Sequence, residues 1–309
     1  MLRYLIKRIG YMLLTLFLIA TVTFFLMKLL PGTPLSAADK LSPEQQAIVL
    51  EKYGLNDPIP VQYVRYMSGL LKGDLGVSFA FDNTPVTKIL MDRLGPSALL
   101  GFQAVIVGAI VGILLGLISS VFHNGIIDYT STIIAVLGTS IPSFIFAGLL
   151  QYLFAVKLGI FPVALWGEPK HAILPTLALA ITPMATCARF IRTEMVEVLN
   201  SQFILTARAK GLSEVAVVFR HGLRNALIPL VTIIGPMVVS LMTGSMVIEK
   251  IFAIPGIGEQ FVDSVYVNDY PTIMGTTLLY ASGFIVVLLI IDILYGIIDP
   301  RIRIGGGGK

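Results

Sequence analysis

Side chains able to do chemistry are scarce in this sequence, and none forms a catalytic motif. The three histidines, His123, His171 and His221, lie far apart in the chain, and neither H-E-x-x-H nor G-x-S-x-G occurs. Cys187 is the single cysteine and lies in an apolar run, so we interpret it as a packing residue rather than a nucleophile. The G-x-x-x-x-G-K-[ST] phosphate-binding loop is also missing. An enzyme is therefore disfavoured, and ATP hydrolysis is not expected of this chain.

The richest polar stretch lies between residues 189 and 225. It includes Thr206-Ala207-Arg208-Ala209-Lys210-Gly211-Leu212-Ser213-Glu214 and continues to Arg220-His221-Gly222-Leu223-Arg224-Asn225. Small residues followed by Gly211 and a helix-compatible run predict a helix–turn–helix whose turn projects into water. Two interpretations stay open from the residues alone. The stretch is either a solvated loop or a surface that contacts another protein.

The composition excludes an ordinary soluble domain. Apolar residues make up 56% of the 309 residues and charged residues only 13%, against about 25% charged in soluble domains. Crossing a bilayer takes about 20 apolar helical residues. Charge-free runs of about that size predict six spans, near residues 9–27, 94–122, 129–156, 172–188, 226–248 and 271–291. The third contains Pro142, and we expect a tolerated kink there.

The distribution of Lys and Arg predicts the orientation. With the N-terminus inside, twelve lie on the inner side, at both termini and in residues 189–225, against three in the two short outer loops. Both termini are therefore expected to be cytoplasmic. The net charge of +4 is explained in the same way, so no nucleic-acid partner is inferred. The first apolar run is longer than a signal peptide requires, so it is interpreted as a retained span.

Polar residues outside the spans support further expectations. Residues 31–93 form an outer loop in which Ser42, Pro43 and Gln45 predict a capped helix ended by Gly54. A second helix is predicted over residues 60–72, ended by Gly73, and this loop is either a structural cap or a docking surface. Glu249 and Lys250 are expected at a span end in the interface. Asp292 is expected to pair with Arg301 and Arg303. Gly108, Gly112 and Gly116 predict a close helix–helix contact.

Short motifs along nearly the whole chain resemble those of permease subunits from ABC importers. They are Pro31-Gly32-Thr33-Pro34, Gly73-Asp74-Leu75-Gly76-Val77-Ser78, Pro255-Gly256-Ile257-Gly258, Asp269-Tyr270-Pro271, Asp292-Ile293-Leu294-Tyr295-Gly296 and Asp299-Pro300-Arg301. Residues 189–225 resemble the family's cytoplasmic coupling loop, in the variant of the B-type membrane subunits of bacterial oligopeptide and dipeptide permeases. Leu205-Thr206-Ala207 stands where the broad family has Glu-Ala-Ala, and Arg224 stands where it has proline.

The resemblance implies an all-α membrane protein with six transmembrane helices, the type I ABC importer permease fold, formed by residues 1–309 as one permease domain. It implies a pore-forming subunit that imports oligopeptides in the bacterial cell membrane. Gly211 would make a tight turn, and a short helix would enter a cleft of an ATPase subunit. The residues implied at this ATPase-coupling interface are Ala207, Lys210, Gly211, Leu212, Ser213, Glu214, Val215 and Ala216.

The implied partners are a second, homologous permease subunit, two ATPase subunits, an extracytoplasmic peptide-binding protein and membrane lipid. ATP and magnesium would be bound by the ATPases, and this chain itself would hold no cofactor. A dipeptide or nickel importer of the same family is the alternative substrate assignment, and the residues of the pathway stay unassigned. A stand-alone channel or secondary carrier is the alternative from another class, disfavoured because buried charges and internal repeats are not apparent.

Overall fold

The structure is a computed structural model and describes residues 2–30, 47–48, 50–51 and 53–298. These residues are mainly helical, and an isolated bridge between Val77 and Pro85 is the only β-pairing among them. The helices are α1 (Leu2–Leu29), α2 (Ile59–Leu71), α3 (Val86–Val121), α4 (Ile126–Ser140), α5 (Ser143–Leu150), α6 (Ile173–Leu199), α7 (Gln202–Ala209), α8 (Glu214–Ala216), α9 (Arg224–Met242), α10 (Met246–Phe252), α11 (Ile257–Tyr266) and α12 (Tyr270–Ile298).

The described residues form two compact units. One contains the residues up to 95 together with residues 256–286, and the other contains residues 96–255 and 287–298. The candidate coupling segment lies entirely in the second unit.

Within the described residues, five helices are long and apolar enough to cross a membrane: Ile6–Leu29, Val86–Val121, Pro169–Leu199, Glu214–Met242 and Tyr270–Ile293. The sixth candidate is a pair of helices, Ile126–Ser140 and Ser143–Lys157, bent by 101°. If this pair is one broken span, the number of candidate spans is six, as expected from the sequence. The span predicted at residues 172–188 is a longer helix than expected, since the helical run covers Pro169–Leu199.

The helix was expected to kink at Pro142. Instead it ends there, and a new helix begins. Ile141 adopts an extended conformation, with φ −92° and ψ 124°. The ring of a proline disfavours helical geometry in the preceding residue, and Pro142 becomes the N-cap of α5. By contrast, Pro183, Pro229 and Pro236 lie inside continuous helices.

The predicted contact of the glycine face on α3 is present in the second unit. A Cβ added to Gly108 would lie 2.6 Å from the carbonyl oxygen of Ala180, and one added to Gly116 would lie 2.5 Å from that of Ala188. Gly112 meets the carbonyl oxygen of Met184 in the same way. Real side chains do not fit at such distances, so α3 and α6 contact each other backbone to backbone.

The burial of Glu249 in the second unit was not predicted from the sequence, which indicated only a location at a span end. Glu249 is 2% exposed and accepts a hydrogen bond from the Ser97 hydroxyl at 2.7 Å. The reason is local, since Ile248 and Phe252 of the short helix α10 are fully buried and turn Glu249 inward with them. The expected partners of Asp292, Arg301 and Arg303, lie outside the described residues.

The first unit joins two of the sequence motifs through the buried carboxylate of Asp269. This carboxylate accepts hydrogen bonds from the Ser78 hydroxyl at 2.5 Å, the Phe79 backbone N–H at 2.9 Å and the Thr272 hydroxyl at 2.6 Å. Thus the Gly73–Ser78 motif is attached to the start of α12. Both motifs therefore help to hold this unit together.

The predicted second helix of the outer loop is confirmed as α2, which spans Ile59–Leu71. Gly73 ends it with φ +75°, and its N–H donates to the Leu70 carbonyl at 3.0 Å. Gly54 also has a positive φ, +63°. Ser42, Pro43 and Gln45, which predict the first helix, lie outside the described residues, as does the motif Pro31-Gly32-Thr33-Pro34.

Candidate functional site

The candidate coupling segment runs from α7 to the start of α9 and turns sharply at Gly211. This glycine has φ +76°, in the left-handed region. Its N–H donates to the Arg208 carbonyl at 2.9 Å, and the N–H of Leu212 donates to the Ala207 carbonyl at 3.3 Å. These two bonds form a Schellman motif, in which glycine is favoured because it has no Cβ to clash. The helix–turn–helix expected from the sequence is present.

The second helix of the segment begins directly after the turn. Ser213 is its N-cap, and its hydroxyl accepts from the N–H of Ala216 at 3.4 Å. Helix α8 then continues through a π-helical stretch, Val217–Leu223, into α9. Wide π-turns inside helices are uncommon and often occur at functional sites.

The side of the turn that faces the rest of the unit is apolar and closely packed. Ile204 and Val217 are fully buried and Ala207 is 6% exposed. Leu199 and Leu212 pack against these residues from the end of α6 and from the turn. Residues on both sides of Gly211 therefore share one small core, which links the two helices of the segment.

The opposite side of the turn, which faces away from the unit, is exposed. Lys210, Gly211, Ser213 and Glu214 are all exposed, and Val215 has 69% of its surface accessible. Thus five of the eight residues that the resemblance implies share one projecting surface. Of the other three, Ala207 is buried and both Leu212 and Ala216 are half-buried.

Phe219 is an apolar residue of this surface that the sequence reasoning missed. It is 54% exposed, lies four residues after Val215, and follows the turn within the π-helical stretch. Val215 and Phe219 thus add exposed apolar area to a segment whose other exposed side chains are mostly polar or charged. The signal in the sequence was an aromatic residue one position before Arg220, in a stretch otherwise interpreted by its charges.

An exposed ion pair closes the turn. The guanidinium of Arg208 donates to the two carboxylate oxygens of Glu214, at 2.9 Å and 3.1 Å. This hydrogen bonding, with the negative charge of Glu214, raises the pKa of Arg208 above its usual value. An exposed pair contributes little to stability, and its bidentate geometry instead sets the orientation of α8 relative to α7.

A buried ion pair attaches α6 to the first turn of α4. Asp128 is 1% exposed, and its carboxylate accepts from Arg192 Nε at 2.6 Å and from Arg192 Nη2 at 2.8 Å. The Ser119 hydroxyl and the Asn124 backbone N–H also donate to it. Arg192 lies on α6, the helix that leads into the coupling segment. The pair was missed because Arg192 was interpreted only as an orientation signal.

Gly222 brings the π-helical stretch close to α6. It is buried, and a Cβ added there would lie 3.0 Å from the terminal methyl of Met195. Met195 itself is fully buried among residues of α6 and α9. Both ends of the projecting turn are therefore held against α6, which is in turn held by Asp128.

The segment connects two long helices. It is an exposed turn between two helices long enough to span a membrane, Pro169–Leu199 and Glu214–Met242. No group of three or more metal-ligating side chains is found within the part of the chain that the structure describes.

The sequence matches two known protein families. Residues 108–304 match the family described as the binding-protein-dependent transport system inner membrane component. Residues 1–100 match the family described as its N-terminal part. The two matches together cover almost the whole chain.

Individual relatives are similar over their full length. The dipeptide transport system permease protein DppB of Lactococcus lactis is 48% identical over 98% of this chain and 100% of its own. DppB of Bacillus subtilis is 45% identical, over 98% and 99%. The oligopeptide transport system permease protein OppB of Haemophilus influenzae is 40% identical, over 98% and 100%.

Solved structures share the fold at low sequence identity. The MetNI methionine ABC transporter, in inward-facing conformations, matches with a TM-score of 0.52 and 18% identity over 71% of this chain and 98% of that one. An amino acid ABC transporter solved with histidines matches with a TM-score of 0.51 and 18% identity over 70% and 95%. At this identity the similarity shows the fold of an ABC importer permease.

Proposed function

The chain belongs to the inner membrane components of binding-protein-dependent transport systems, and from this premise we propose that it couples ATP hydrolysis by partner subunits to the import of short peptides. It is a multi-pass protein of the bacterial cell membrane. It is the pore-forming permease subunit of a peptide ABC importer and is not itself an enzyme. ATPase and substrate-binding partners follow from membership of this family.

The observation that carries the coupling role is the stiff turn at Gly211. Its exposed side presents Val215 and Phe219 beside charged side chains, while its inner side is packed against the end of α6. In our proposal the exposed side of the turn lies on an ATPase subunit. When two such subunits close on ATP, the turn moves. Helices α6 and α9 move with it because the turn is packed against the end of α6 and continues into α9.

The topology follows from the same proposal. Residues 189–225 and both termini are cytoplasmic, and residues 31–93 lie outside, where a peptide-binding protein docks. The importer contains a second, homologous permease subunit, so that the two form a heterodimer, with one ATPase subunit on each. ATP and magnesium belong to the ATPases.

The proposed substrates are short peptides, and dipeptides are tested first. The two relatives described as dipeptide permeases are 48% and 45% identical to this chain, whereas the oligopeptide permease of Haemophilus influenzae is 40% identical. The substrate is also selected by a separate binding protein, which explains why charged side chains are few in the spans. Longer peptides and nickel are the other substrates to compare.

Co-purification and uptake test the proposal together. The tagged chain is purified from its native membrane in mild detergent, and the co-purifying proteins are identified by mass spectrometry. We expect a second permease and an ATPase with a phosphate-binding loop. Recovery of the chain without any ATPase across several detergents would contradict the coupling role.

Uptake in cells or proteoliposomes then identifies the cargo. A labelled dipeptide, a labelled pentapeptide and radioactive nickel are compared with and without ATP. We expect ATP-dependent uptake of peptide. Uptake that survives ATP depletion and follows a proton or sodium gradient would instead indicate a secondary carrier.

A further inference from the structure

The first unit contains a lysine, Lys28, that has no negatively charged partner among the residues that the structure describes. Lys28 lies in the last turn of α1 and is half-buried. Its Nζ lies 5.4 Å from the ring centroid of Phe24 and 5.8 Å from that of Tyr270. No carboxylate among the described residues forms an ion pair with it. Its one hydrogen bond to a described side chain goes to the neutral amide of Gln62, at 2.5 Å.

The position of the ammonium group is set by a second layer of hydrogen bonds. The amide nitrogen of Gln62 donates to the carbonyl oxygens of Leu55 at 3.0 Å and Asp57 at 2.7 Å. The amide oxygen is thereby turned toward Lys28. An ammonium group has three donors. Gln62 accepts from one of them and the two rings orient the group, so among the described side chains no acceptor takes the other two. A lysine that only reached for the membrane surface would not need this arrangement.

Lys28 lines a cavity of about 320 Å³ with mainly apolar and aromatic walls. Phe24, Tyr66, Phe79, Tyr270 and Met274 contribute to these walls. The cavity has two other charged side chains among its described lining, and both have partners. Arg65 is paired with Asp57 at 2.5 Å, and Asp74 accepts from the Gly76 N–H at 2.8 Å.

Tyr66 forms part of the aromatic wall of the cavity. Its ring stacks on Phe24 with centroids 5.6 Å apart, and its hydroxyl is buried without a hydrogen-bond partner in the part of the chain described. Burial and the neighbouring Tyr63 raise the pKa of Tyr66 to about 12, so the hydroxyl keeps its proton. Because this hydroxyl has essentially no accessible surface, it belongs to the wall and does not bind a ligand in the cavity.

We propose that this cavity binds a monovalent anionic group carried on a small apolar body, with Lys28 as the donor to the anion. The volume is at the lower end of the range for small-molecule sites, about 300–1,000 Å³, which suits one or two amino-acid residues. The terminal carboxylate of a short peptide with an apolar side chain has this chemistry. This choice of source rests on the proposed function. The headgroup of an acidic phospholipid is the other source of the same chemistry.

Binding of a labelled dipeptide to the full chain tests the site. The chain is purified with its partner subunits, without the peptide-binding protein, into nanodiscs of neutral phosphatidylcholine. The probes are alanyl-phenylalanine and its C-terminal amide, which differ only in the anion. We expect the acid to bind, and the amide to bind roughly 10- to 100-fold more weakly, as expected for lost hydrogen bonds to a charged group.

Three variants identify the residues. Lys28→Met keeps the length of the side chain and removes the cation, and it should weaken acid binding roughly 10- to 100-fold. Tyr66→Phe removes only the buried hydroxyl of the wall and should leave acid binding unchanged. Lys88→Met, at an exposed lysine outside the cavity, is the matched control and should bind as the wild type does. Thermal unfolding of each variant shows whether it is folded.

The source of the anion is resolved by repeating the experiment in nanodiscs that contain phosphatidylglycerol. If this lipid competes with the dipeptide, or is itself retained in mass spectra by the wild type and lost from Lys28→Met, the site stands and the lipid is its ligand. Equal binding of acid and amide, or unchanged binding of both ligands in Lys28→Met, overturns the inference. Failure of the wild type to import any peptide would contradict the proposed function instead, whatever Lys28 does.

Discussion

A substitution at Gly211 tests whether the projecting turn transmits force. The residue has φ +76°, and a Cβ added there meets no atom within 4 Å. Replacement by valine therefore costs nothing in steric overlap with neighbours. Its cost is conformational, because a residue with a Cβ in the left-handed region is strained by about 1–2 kcal/mol, and a β-branched one is at the upper end of this range.

That strain competes with two hydrogen bonds and a small apolar contact. The bonds from Gly211 and Leu212 to α7 contribute about 1 kcal/mol each, so strain of similar size opens the turn in a large fraction of molecules. We expect Gly211→Val to lower the number of peptides imported per ATP hydrolysed by about tenfold. Complex assembly should be retained, because Val215 and Phe219 are unchanged.

The measurement is the ratio of dipeptide uptake to ATP hydrolysis in proteoliposomes that contain the whole importer. Gly211→Asn is a graded control, since asparagine tolerates the left-handed region better than other residues with a Cβ, and it should keep most of the coupling. Gly159→Val is the matched control outside the segment, because Gly159 also has φ +63° with no atom within 4 Å of an added Cβ.

Three results would refute this reasoning. Wild-type coupling in Gly211→Val would mean that the turn geometry is not needed. Equal losses in the valine and asparagine variants would mean that the left-handed conformation is not the cause. Equal uncoupling by Gly159→Val would mean that the effect is general destabilisation.

Three further predictions follow from other contacts. Asp128→Asn leaves the guanidinium of Arg192 without its carboxylate, and thermal unfolding in detergent should show a loss of about 2–4 kcal/mol; a change below 1 kcal/mol would mean that the pair is not structural. Phe219→Ser should reduce the ATPase that co-purifies with the chain while the chain's own thermal stability is kept, and undiminished recovery would remove this residue from the interface. Asp269→Asn loses acceptors for buried donors and should cost about 1–3 kcal/mol in the same unfolding assay, whereas Asp82→Asn, at an exposed position, should cost less than about 0.5 kcal/mol.

The elements of the fold that depend on local chemistry could be predicted from the sequence. Charge-free runs identify the spanning helices because the bilayer excludes charge. Gly73 ends α2 and Gly211 makes a turn because both have a positive φ that glycine adopts easily. The sequence did not show that the helix ends at Pro142, because several other prolines of this chain lie inside continuous helices and look the same locally. Whether neighbouring groups satisfy the freed backbone is a tertiary property.

The parts of the candidate site that depend on distant residues could not be predicted. Asp128 and Arg192 are 64 residues apart, and nothing local in the sequence pairs them. A hint was available, because Asp128 is the only charged residue in a short turn between two apolar runs and would need a cation from elsewhere. The burial of Glu249 was not predicted for the same reason, since it depends on how α10 packs.

The glycine face of α3 has a consequence for how the protein is made. Gly108, Gly112 and Gly116 are matched by carbonyl groups of α6, and the ribosome synthesises α6 only after α4, α5 and the loop that follows them. During translation α3 therefore enters the bilayer before its tightly fitting neighbour exists, with lipid chains against the glycines. The contact must form later, by expulsion of those lipids, so the order of synthesis differs from the order of packing. A chain whose translation stops before residue 173 would expose this face to the quality-control proteases of the membrane.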